Sequence, residues 1–341
     1  MKTILQRLSD RESLTEAEMK EAVDNLFAND VTDSEIAAFM VSLKTKGETV
    51  EEIAGIVKAM RDKSLSFSKK IPNVLDNCGT GGDGSSSFNI SSTSAFVIAG
   101  AGIPVAKHGN RSVSSKTGSA DVLEHLGINL NHPPERTEEI LEEIGIAFLF
   151  APHVHPNIKR IMKVRKDLRI PTTFNLIGPL TNPVELDNQL LGIYRRDYIE
   201  MFAEVLKTLG RKRAVVLNGA GFMDEASLQG ENHLGILNNG KITKKVLHPE
   251  EVGLSVSSND AIRGGDSREN AEILLSVLNG ERGARRDTVL LNAGIGIFTG
   301  GKAETIQGGI NLARESIDSG AALAKLHRLI EVSKSVHKEV I

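Results

Sequence analysis

The sequence has little cysteine and no long apolar run, and each absence excludes a class of protein. Cys78 is the one cysteine among 341 residues, so the chain can form neither an internal disulfide nor a thiol-rich metal site. No stretch approaches the roughly 18 uninterrupted apolar residues of a membrane-spanning helix, and residues 1–20 carry acids where a signal peptide would be apolar. We therefore expect a protein of the reducing cytoplasm with no membrane partner.

The chain also lacks a surplus of positive charge. Its 41 Lys and Arg residues are outnumbered by 44 Asp and Glu, which leaves a net charge of −3. A nucleic-acid-binding protein needs an excess of basic side chains to displace counterions from phosphates. The composition therefore argues against a nucleic-acid partner, although a local basic cluster could hold a small polyanion. A length of 341 residues exceeds the roughly 250 to 300 that one core supports, which predicts two unequal domains.

Residues 1–70 predict a small helical domain. Capping boxes of the form Thr-x-x-Glu begin at Thr15, Thr32 and Thr49, and apolar residues follow each box at helical spacing. No residue set in this region suggests chemistry, so we interpret it as a scaffold or an oligomer interface. Its amphipathic helices favour a homodimer.

From residue 71 to 341 short β-like runs alternate with helical patterns, which predicts a mainly parallel sheet flanked by helices. The predicted strands cover residues 74–76, 103–106, 146–150, 214–217 and 288–291. A Pro- and Asn-containing passage at 169–183 interrupts the alternation, and we interpret the segment near 169–190 as a crossing that completes the helical domain. The predicted fold class is α/β, with a small N-terminal helical domain and a larger α/β domain around a mainly parallel central sheet.

A glycine-rich turn is the most informative part of the sequence. Residues 76–84 read Asp-Asn-Cys-Gly-Thr-Gly-Gly-Asp-Gly between a predicted strand and a predicted helix. Glycines let a ligand approach the backbone amides, and a helix N-terminus adds positive charge, so the turn can cradle a phosphate. Ser91 can also turn an oxygen toward a bound cation. The glycine spacing fits neither a Walker loop nor a Rossmann turn, and the alternative is a flexible turn before a serine-rich helix cap.

A second polar segment follows the predicted strand 103–106. Residues 107–119 read Lys-His-Gly-Asn-Arg-Ser-Val-Ser-Ser-Lys-Thr-Gly-Ser, with three cations and several hydroxyls. Open α/β sheets bind their ligands at the carboxyl ends of strands, where this segment is expected to lie. The pattern therefore predicts a polyphosphate site. The alternative for Lys107 is a solvated surface lysine.

Together these blocks resemble the anthranilate phosphoribosyltransferases of tryptophan biosynthesis. The matching blocks are N-C-G-T-G-G-D at 77–83, F-N-I-S at 88–91, V-A-K-H-G-N-R at 105–111, S-S-K-T-G-S-A-D-V-L-E-H-L-G at 114–127, F-N-L-I-G-P-L-T-N-P at 174–183, and Asp224-Glu225. Ser87 stands where this family usually has Thr, Asn218 stands where His is common, and residues 163–171 lack a Pro and a Gly of the pattern. The resemblance implies the nucleoside phosphorylase / phosphoribosyltransferase-like fold.

The resemblance also implies an activity and its cofactor. The phosphoribosyl group of phosphoribosyl pyrophosphate would pass to anthranilate, giving N-(5-phosphoribosyl)anthranilate and pyrophosphate, with the help of two Mg²⁺ ions per subunit. Metal ligands would be Ser91, Asp224 and Glu225. Lys107, Asn110 and Arg165 would position the substrates, and no residue is assigned as a certain acid or base.

The substrate-binding residues implied by the resemblance lie in the two polar segments and at one arginine. They are Gly79, Gly82, Asp83, Ser87, Asn89, Ile90, Ser91, Ser92, Lys107, His108, Gly109, Asn110, Arg111, Ser112, Val113, Ser114, Ser115, Ser119 and Arg165. The guanidinium of Arg165 would pair with the carboxylate of anthranilate, because its planar fork offers paired donors. His108 and His155 could line the same acceptor site.

Alternatives stay open on the sequence alone. Pyrimidine nucleoside phosphorylases share the helical-plus-α/β plan and a similar pair of loops, and a non-catalytic polyphosphate sensor would need the same cradle. Adjacent acids such as Asp224 and Glu225 are often only solvated charges, and Arg165 could be an arginine on a helix surface.

Overall fold

A computed structural model describes residues 1–28, 30–111 and 117–334. Its N-terminal part consists of helices α1 (Lys2–Ser9), α2 (Glu16–Leu26), α3 (Asp33–Lys46) and α4 (Val50–Asp62). All three predicted capping boxes are present at the starts of α2, α3 and α4. The sequence did not predict α1, because its N-cap is Met1, which makes no side-chain cap.

A single seven-stranded sheet forms the centre of the larger part. Its strands are β1 (Leu75–Gly79), β2 (Val105–Gly109), β3 (Ile146–Phe150), β4 (Asn188–Gly192), β5 (Arg213–Asn218), β6 (Asn232–Asn238) and β7 (Lys241–Leu247), in the order β3-β2-β1-β4-β5-β6-β7. The first five strands pair in parallel, and β6 and β7 join as antiparallel strands at one edge. The predicted fold class, a helical domain with a larger α/β domain around a mainly parallel sheet, is confirmed.

Helices cover both faces of this sheet. They are α5 (Ile90–Gly100), α6 (Ser119–His125), α7 (Pro134–Ile144), α8 (Ala151–Val154), α9 (Lys159–Leu168), α10 (Ile199–Thr208), α11 (Ser267–Leu278), α12 (Ala284–Thr299), α13 (Ile306–Asp318) and α14 (Ala321–Lys334). The predicted strand at 288–291 is wrong, because these residues lie inside α12. Residues 288–297 are buried on every side of that helix, and a fully buried helix has the same continuous apolar pattern as a buried strand.

The apolar side chains form two clusters that lie on opposite sides of the central strands. One contains α5, α7 and α11–α14 with β1–β3. The other contains α1–α4 and α10, together with Phe174 and Leu180 from the connection after α9, and Leu191 and Val216 from β4 and β5. Helices α1–α4, which we call the helical unit, therefore join the larger part through α10, which packs between α4 and strands β5 and β6, and through the connection after α9. No helix in the described ranges is both long and apolar enough to cross a membrane.

Candidate functional site

The carboxyl ends of β1, β2, β4 and β5 lie along one edge of the sheet, and most predicted site residues come to this edge. The glycine-rich turn follows β1, and Gly79 at its start is paired with Gly192 at the end of β4. Gly81 and Gly82 have φ angles of 69° and 79°. Residues with a side chain rarely adopt this left-handed region, so the turn depends on glycine here.

The loop that carries Asp224 and Glu225 packs against glycines from three strand ends. A Cβ added to Gly192 would lie 2.6 Å from the carbonyl carbon of Asp224 and closer still to its oxygen. A Cβ on Gly79 would similarly overlap the carboxylate of Asp224, and one on Gly219 would overlap the carbonyl oxygen of Glu225. These close approaches place Asp224 directly against the start of the glycine-rich turn and Glu225 beside the residue that follows β5.

Hydrogen bonds join this acidic loop to the turn. The amide of Gly81 donates to Asp224 Oδ2 at 2.6 Å, and the amide of Asp224 donates to Asp83 Oδ2 at 3.3 Å. Asp83 Oδ1 also accepts from the amide and hydroxyl of Ser85, both at 3.0 Å. Asp83 therefore organises the turn, and it brings a third carboxylate close to Asp224 and Glu225.

The two acids, Asp224 buried and Glu225 partly buried, hold their protons more tightly than free carboxyls do. Burial, with the negative charges of Asp83 and Glu225, raises the pKa of Asp224 well above its usual value. Burial raises the pKa of Glu225 to about 7, although the charge of Lys107 and hydrogen bonds from Ser91 act in the opposite direction. Buried carboxylates that repel each other are stabilised by a cation that binds them both.

The donor set fits a magnesium ion. Asp224, Glu225 and the hydroxyl of Ser91 offer hard oxygen atoms, which Mg²⁺ prefers, and it normally keeps several water or phosphate ligands. Within the described part of the chain, no group of three or more His, Cys, Asp and Glu side chains is arranged to hold a metal ion. A bound ion would therefore take its remaining ligands from water or from a substrate.

Lys107 lies beneath the glycine-rich turn, within β2, and is only 3% exposed. Its Nζ donates to the carbonyl of Asn77 at 3.0 Å and to Ser91 Oγ at 3.2 Å. It is therefore not the solvated surface lysine that the sequence left open. Its charge links β1 with the start of α5 and lies near Glu225.

The neighbouring residues at the start of α5 are mostly engaged within the protein. Ser87 forms an isolated bridge with Arg263, and Asn89 Oδ1 accepts from Asn270 Nδ2 at 2.8 Å. Ile90 and Ser92 are each 1% exposed. Of the substrate contacts predicted at the start of α5, Ser91 is brought next to the acidic loop, where it hydrogen-bonds Glu225.

The second polar segment reaches the same edge of the sheet. His108 and Gly109 complete β2, and the carbonyl of Asn110 accepts from Ser119 Oγ at 3.2 Å. The predicted contacts Ser112, Val113, Ser114 and Ser115 lie outside the described residues.

Arg111 follows Asn110 and is bound by protein groups. Its guanidinium pairs with Asp121 at 2.8 Å and Glu124 at 2.7 Å, and lies 5.3 Å from the centre of the Phe150 ring. A phosphate at this position would have to compete with two carboxylates for the guanidinium.

Arg165 lies on α9 and is half-buried, and this burial lowers its pKa. Its Nη1 contacts the sulfur of Met162 at 3.3 Å, but no carboxylate pairs with it among the residues that the structure describes. A half-buried guanidinium without a carboxylate partner is favourable for binding an anionic ligand.

Tyr194 is a site residue that the sequence did not reveal. It follows β4, and its ring would lie 3.7 Å from a Cβ placed on Gly82. The charge of Arg165 acts on the phenol, while burial raises the pKa of Tyr194. The strand before it begins with the polar residues Asn188 and Gln189, so neither β4 nor Tyr194 stood out as part of an apolar run.

His108 and His155 form a buried pair whose ring centres are 5.4 Å apart in an edge-to-face arrangement. Burial lowers the pKa of His108 to about 3 and that of His155 to about 4. Both rings are therefore neutral at physiological pH. The neutral rings can line a binding site or accept a hydrogen bond, but they cannot attract an anion by a positive charge.

Comparison with known proteins gives consistent results along nearly the whole chain. Residues 2–64 match the helical bundle domain of a glycosyl transferase family, and residues 71–323 match the a/b domain of that family. The anthranilate phosphoribosyltransferase of Bacillus mycoides is 59% identical over 333 residues, which is 98% of each chain.

Two solved structures have the same fold. The anthranilate phosphoribosyltransferase of Thermus thermophilus matches with a TM-score of 0.93 and 40% identity, over 97% of this chain and 99% of that one. The enzyme of Saccharomyces cerevisiae, solved with PRPP and Mg, matches with a TM-score of 0.90 and 26% identity over 98% of both chains. The motif blocks, the fold and these relatives agree, and the chain belongs to the anthranilate phosphoribosyltransferase family.

Proposed function

We propose that this protein is a glycosyltransferase that moves the phosphoribosyl group of phosphoribosyl pyrophosphate to anthranilate, the phosphoribosylation step of tryptophan biosynthesis. The contact of Asp224 Oδ2 with the amide of Gly81 carries the proposal, because it sets the loop of adjacent acids, Asp224 and Glu225, against a glycine-rich turn that suits a phosphate. Relatives from Saccharomyces cerevisiae solved with PRPP and Mg, and with 4-fluoroanthranilate, support both substrates.

The donor is assigned to the glycine-rich turn, and two Mg²⁺ ions per subunit to Ser91, Asp224 and Glu225. Bound magnesium neutralises the phosphate oxygens of the departing pyrophosphate. The left-handed backbone of Gly81 and Gly82 shapes the turn, and Lys107 donates a hydrogen bond to Ser91 from below. The residues of the chain thus orient the leaving group and its counterions.

The acceptor is assigned to Asn110, Arg165, His108 and His155. The amine of anthranilate is barely protonated at neutral pH, so its lone pair can attack without a strong base. The low pKa values of His108 and His155 suit this role, because neutral rings exclude water without repelling the positive charge that develops on the sugar. Positioning and electrostatics would supply most of the acceleration.

We also propose that the protein works as a cytoplasmic homodimer of two-domain subunits. The helical domain, residues 1–70, would be completed by the crossing near 169–190, and residues 71–341 would form the donor-binding domain. Phe174 and Leu180, which share one apolar cluster with α1–α4, support this division. A monomer in light scattering at micromolar concentration would contradict the dimer.

A steady-state assay tests the function directly. Anthranilate fluorescence is expected to fall only when the donor and magnesium are both present, with release of pyrophosphate. Phosphate-dependent release of a free base from a nucleoside would instead support the phosphorylase alternative. Donor binding without turnover would support the sensor.

Replacement of Arg165 by Ala is expected to raise the KM for anthranilate roughly ten- to a hundredfold, because a charged hydrogen bond to the carboxylate is lost. The KM for the donor should change far less. Lys166→Ala, which removes an exposed cation from the same helix, is the matched control. An equal rise in both KM values would count against the assignment of Arg165 to the acceptor.

A further inference from the structure

The short turn at residues 178–182, which we call the carbonyl turn, is held by side chains that bind its backbone oxygens. Arg61, at the end of α4, donates from Nε and Nη2 to the carbonyl of Leu180 at 3.0 and 2.6 Å. Gln189, in β4, donates from Nε2 to the carbonyl of Pro179 at 2.7 Å. The helical unit and the sheet thus hold adjacent peptide groups of the same turn.

Two further carbonyls of the turn, those of Gly178 and Thr181, bind the two buried histidines. The carbonyl of Gly178 hydrogen-bonds the ring of His108, and that of Thr181 hydrogen-bonds the ring of His155. Nε2 of each ring is buried and has no hydrogen-bond partner within the described ranges. The position of the carbonyl turn therefore determines how both rings are oriented.

Asn182 anchors the end of the carbonyl turn to the strands that carry the donor site. Its Nδ2 donates to Asp76 Oδ2 at 3.0 Å and to the carbonyl of Ala106 at 2.9 Å, and its Oδ1 accepts from the amide of Val184 at 3.0 Å. Asn182 and Asp76 are both fully buried. The turn is thus fixed on the sheet side by side-chain bonds that do not involve the helical unit.

Arg61 is an unusual choice for this contact. Burial lowers its pKa to about 10, which reflects the desolvation of its guanidinium. In the part of the chain that the structure describes, it forms no ion pair, and the carbonyl of Leu180 is its hydrogen-bond acceptor. The charge of Asp76 acts on this guanidinium without forming an ion pair, and a desolvated cation of this kind stabilises a fold poorly compared with a well-packed apolar side chain. An apolar residue could not supply what Arg61 provides here, which is two N–H donors that converge on one carbonyl oxygen.

We propose that Arg61 is a positioning residue for the acceptor site, because it fixes the carbonyl turn and, through the turn, the rings of His108 and His155. This inference rests on the proposed function, which assigns those rings to the acceptor. Arg61 acts from the helical unit on the carbonyl of Leu180, whereas the contact of Asp224 with Gly81 shares no residue with the carbonyl turn or its anchors. Loss of Arg61 should therefore impair acceptor binding and leave donor binding nearly unchanged.

The test measures both KM values in variants at Arg61. Arg61→Met is expected to raise the KM for anthranilate about tenfold, since a displacement of the order of an ångström in a positioning element has effects of this size or larger. The KM for the donor should stay within about twofold of the original value. Arg61→Lys keeps a donor for the carbonyl of Leu180 and is expected to restore most of the affinity.

Two further variants keep the inference falsifiable. Lys58→Met removes a cation from the same helix, where it pairs with Glu16, and should leave both KM values unchanged. Gln189→Met loosens the carbonyl turn from the sheet side and should reproduce the rise in the KM for anthranilate, even if Arg61→Met does not fold.

The outcomes separate this inference from the function on which it rests. An unaltered protein that does not turn over anthranilate and the donor would contradict the proposed function itself. Turnover by the unaltered protein, with the KM for anthranilate unchanged in both Arg61→Met and Gln189→Met, would overturn only the positioning role. Equal rises in both KM values would also overturn it, because a general loss of structure does not distinguish the two substrates.

Discussion

Replacement of Asp224 by Asn is expected to lower kcat by about a thousandfold, because the site loses a charge that holds the metal at the leaving group. The magnesium concentration needed for half-maximal rate should rise at the same time. Glu225→Gln should act in the same direction. Initial rates at several magnesium concentrations measure both effects, and unchanged magnesium dependence in both variants would remove these acids from the metal role.

The same Asp224→Asn substitution is expected to raise the Tm of the metal-free protein at neutral pH. The raised pKa of Asp224 means that the fold favours the protonated form, so its stabilising contribution is full below the unfolded pKa and is lost as pH rises through the folded value. Asn mimics the protonated acid at every pH.

The matched control for the effects of Asp224→Asn on rate and magnesium is Glu231→Gln, an exposed change on the same connection. It should alter neither kcat nor the magnesium requirement.

Replacement of Gly192 by Ala is expected to lower kcat at least about a hundredfold through a displacement of the metal-binding loop. The new Cβ would overlap the carbonyl carbon and oxygen of Asp224, and these backbone atoms cannot move aside by a side-chain rotation. The loop or the end of β4 must therefore shift. Rates and magnesium titrations on protein shown to be folded by circular dichroism would measure the effect.

Gly230→Ala is the matched control for this prediction. It lies on the connection between β5 and β6, and the nearest atom to its new Cβ among the described residues would be the Cβ of Ala220 at 3.7 Å, an ordinary contact. It should therefore leave kcat unchanged. The prediction would be contradicted if Gly192→Ala kept activity and magnesium dependence near the original values. That result would show that the close approach of the loop to β4 does not matter for turnover.

Local patterns predicted much of the fold. The capping boxes at Thr15, Thr32 and Thr49 mark three helix starts, because a capping box is complete within four residues. The predicted strand at 146–150 coincides with β3. The antiparallel strands β6 and β7 were missed, and β7 shows why: Lys-Ile-Thr-Lys-Lys-Val-Leu lies mostly exposed at the sheet edge, so no apolar run marks it.

The candidate site was predictable in its motifs but not in its contacts. The glycine-rich turn, Ser91 and the acidic pair were all visible in the sequence, and the structure brings them together. The burial of Lys107 was not visible, because it depends on Asn77 and Ser91, which come from other elements of the fold. The ion pairs of Arg111 were not visible either, because the sequence does not show that Asp121 and Glu124 on α6 come back to its guanidinium. Gly192 is the clearest case, since its importance follows only from the backbone of Asp224, which passes over it.

The seating of the acidic loop on Gly79, Gly192 and Gly219 has a consequence for protein engineering. Each of these glycines belongs to a different strand end, so the shape that receives the loop is distributed over three separate parts of the gene. The loop cannot be transplanted onto a foreign scaffold as a cassette. A library that randomises residues 220–225 would have to retain all three glycines, or vary them together with the loop, to yield active clones.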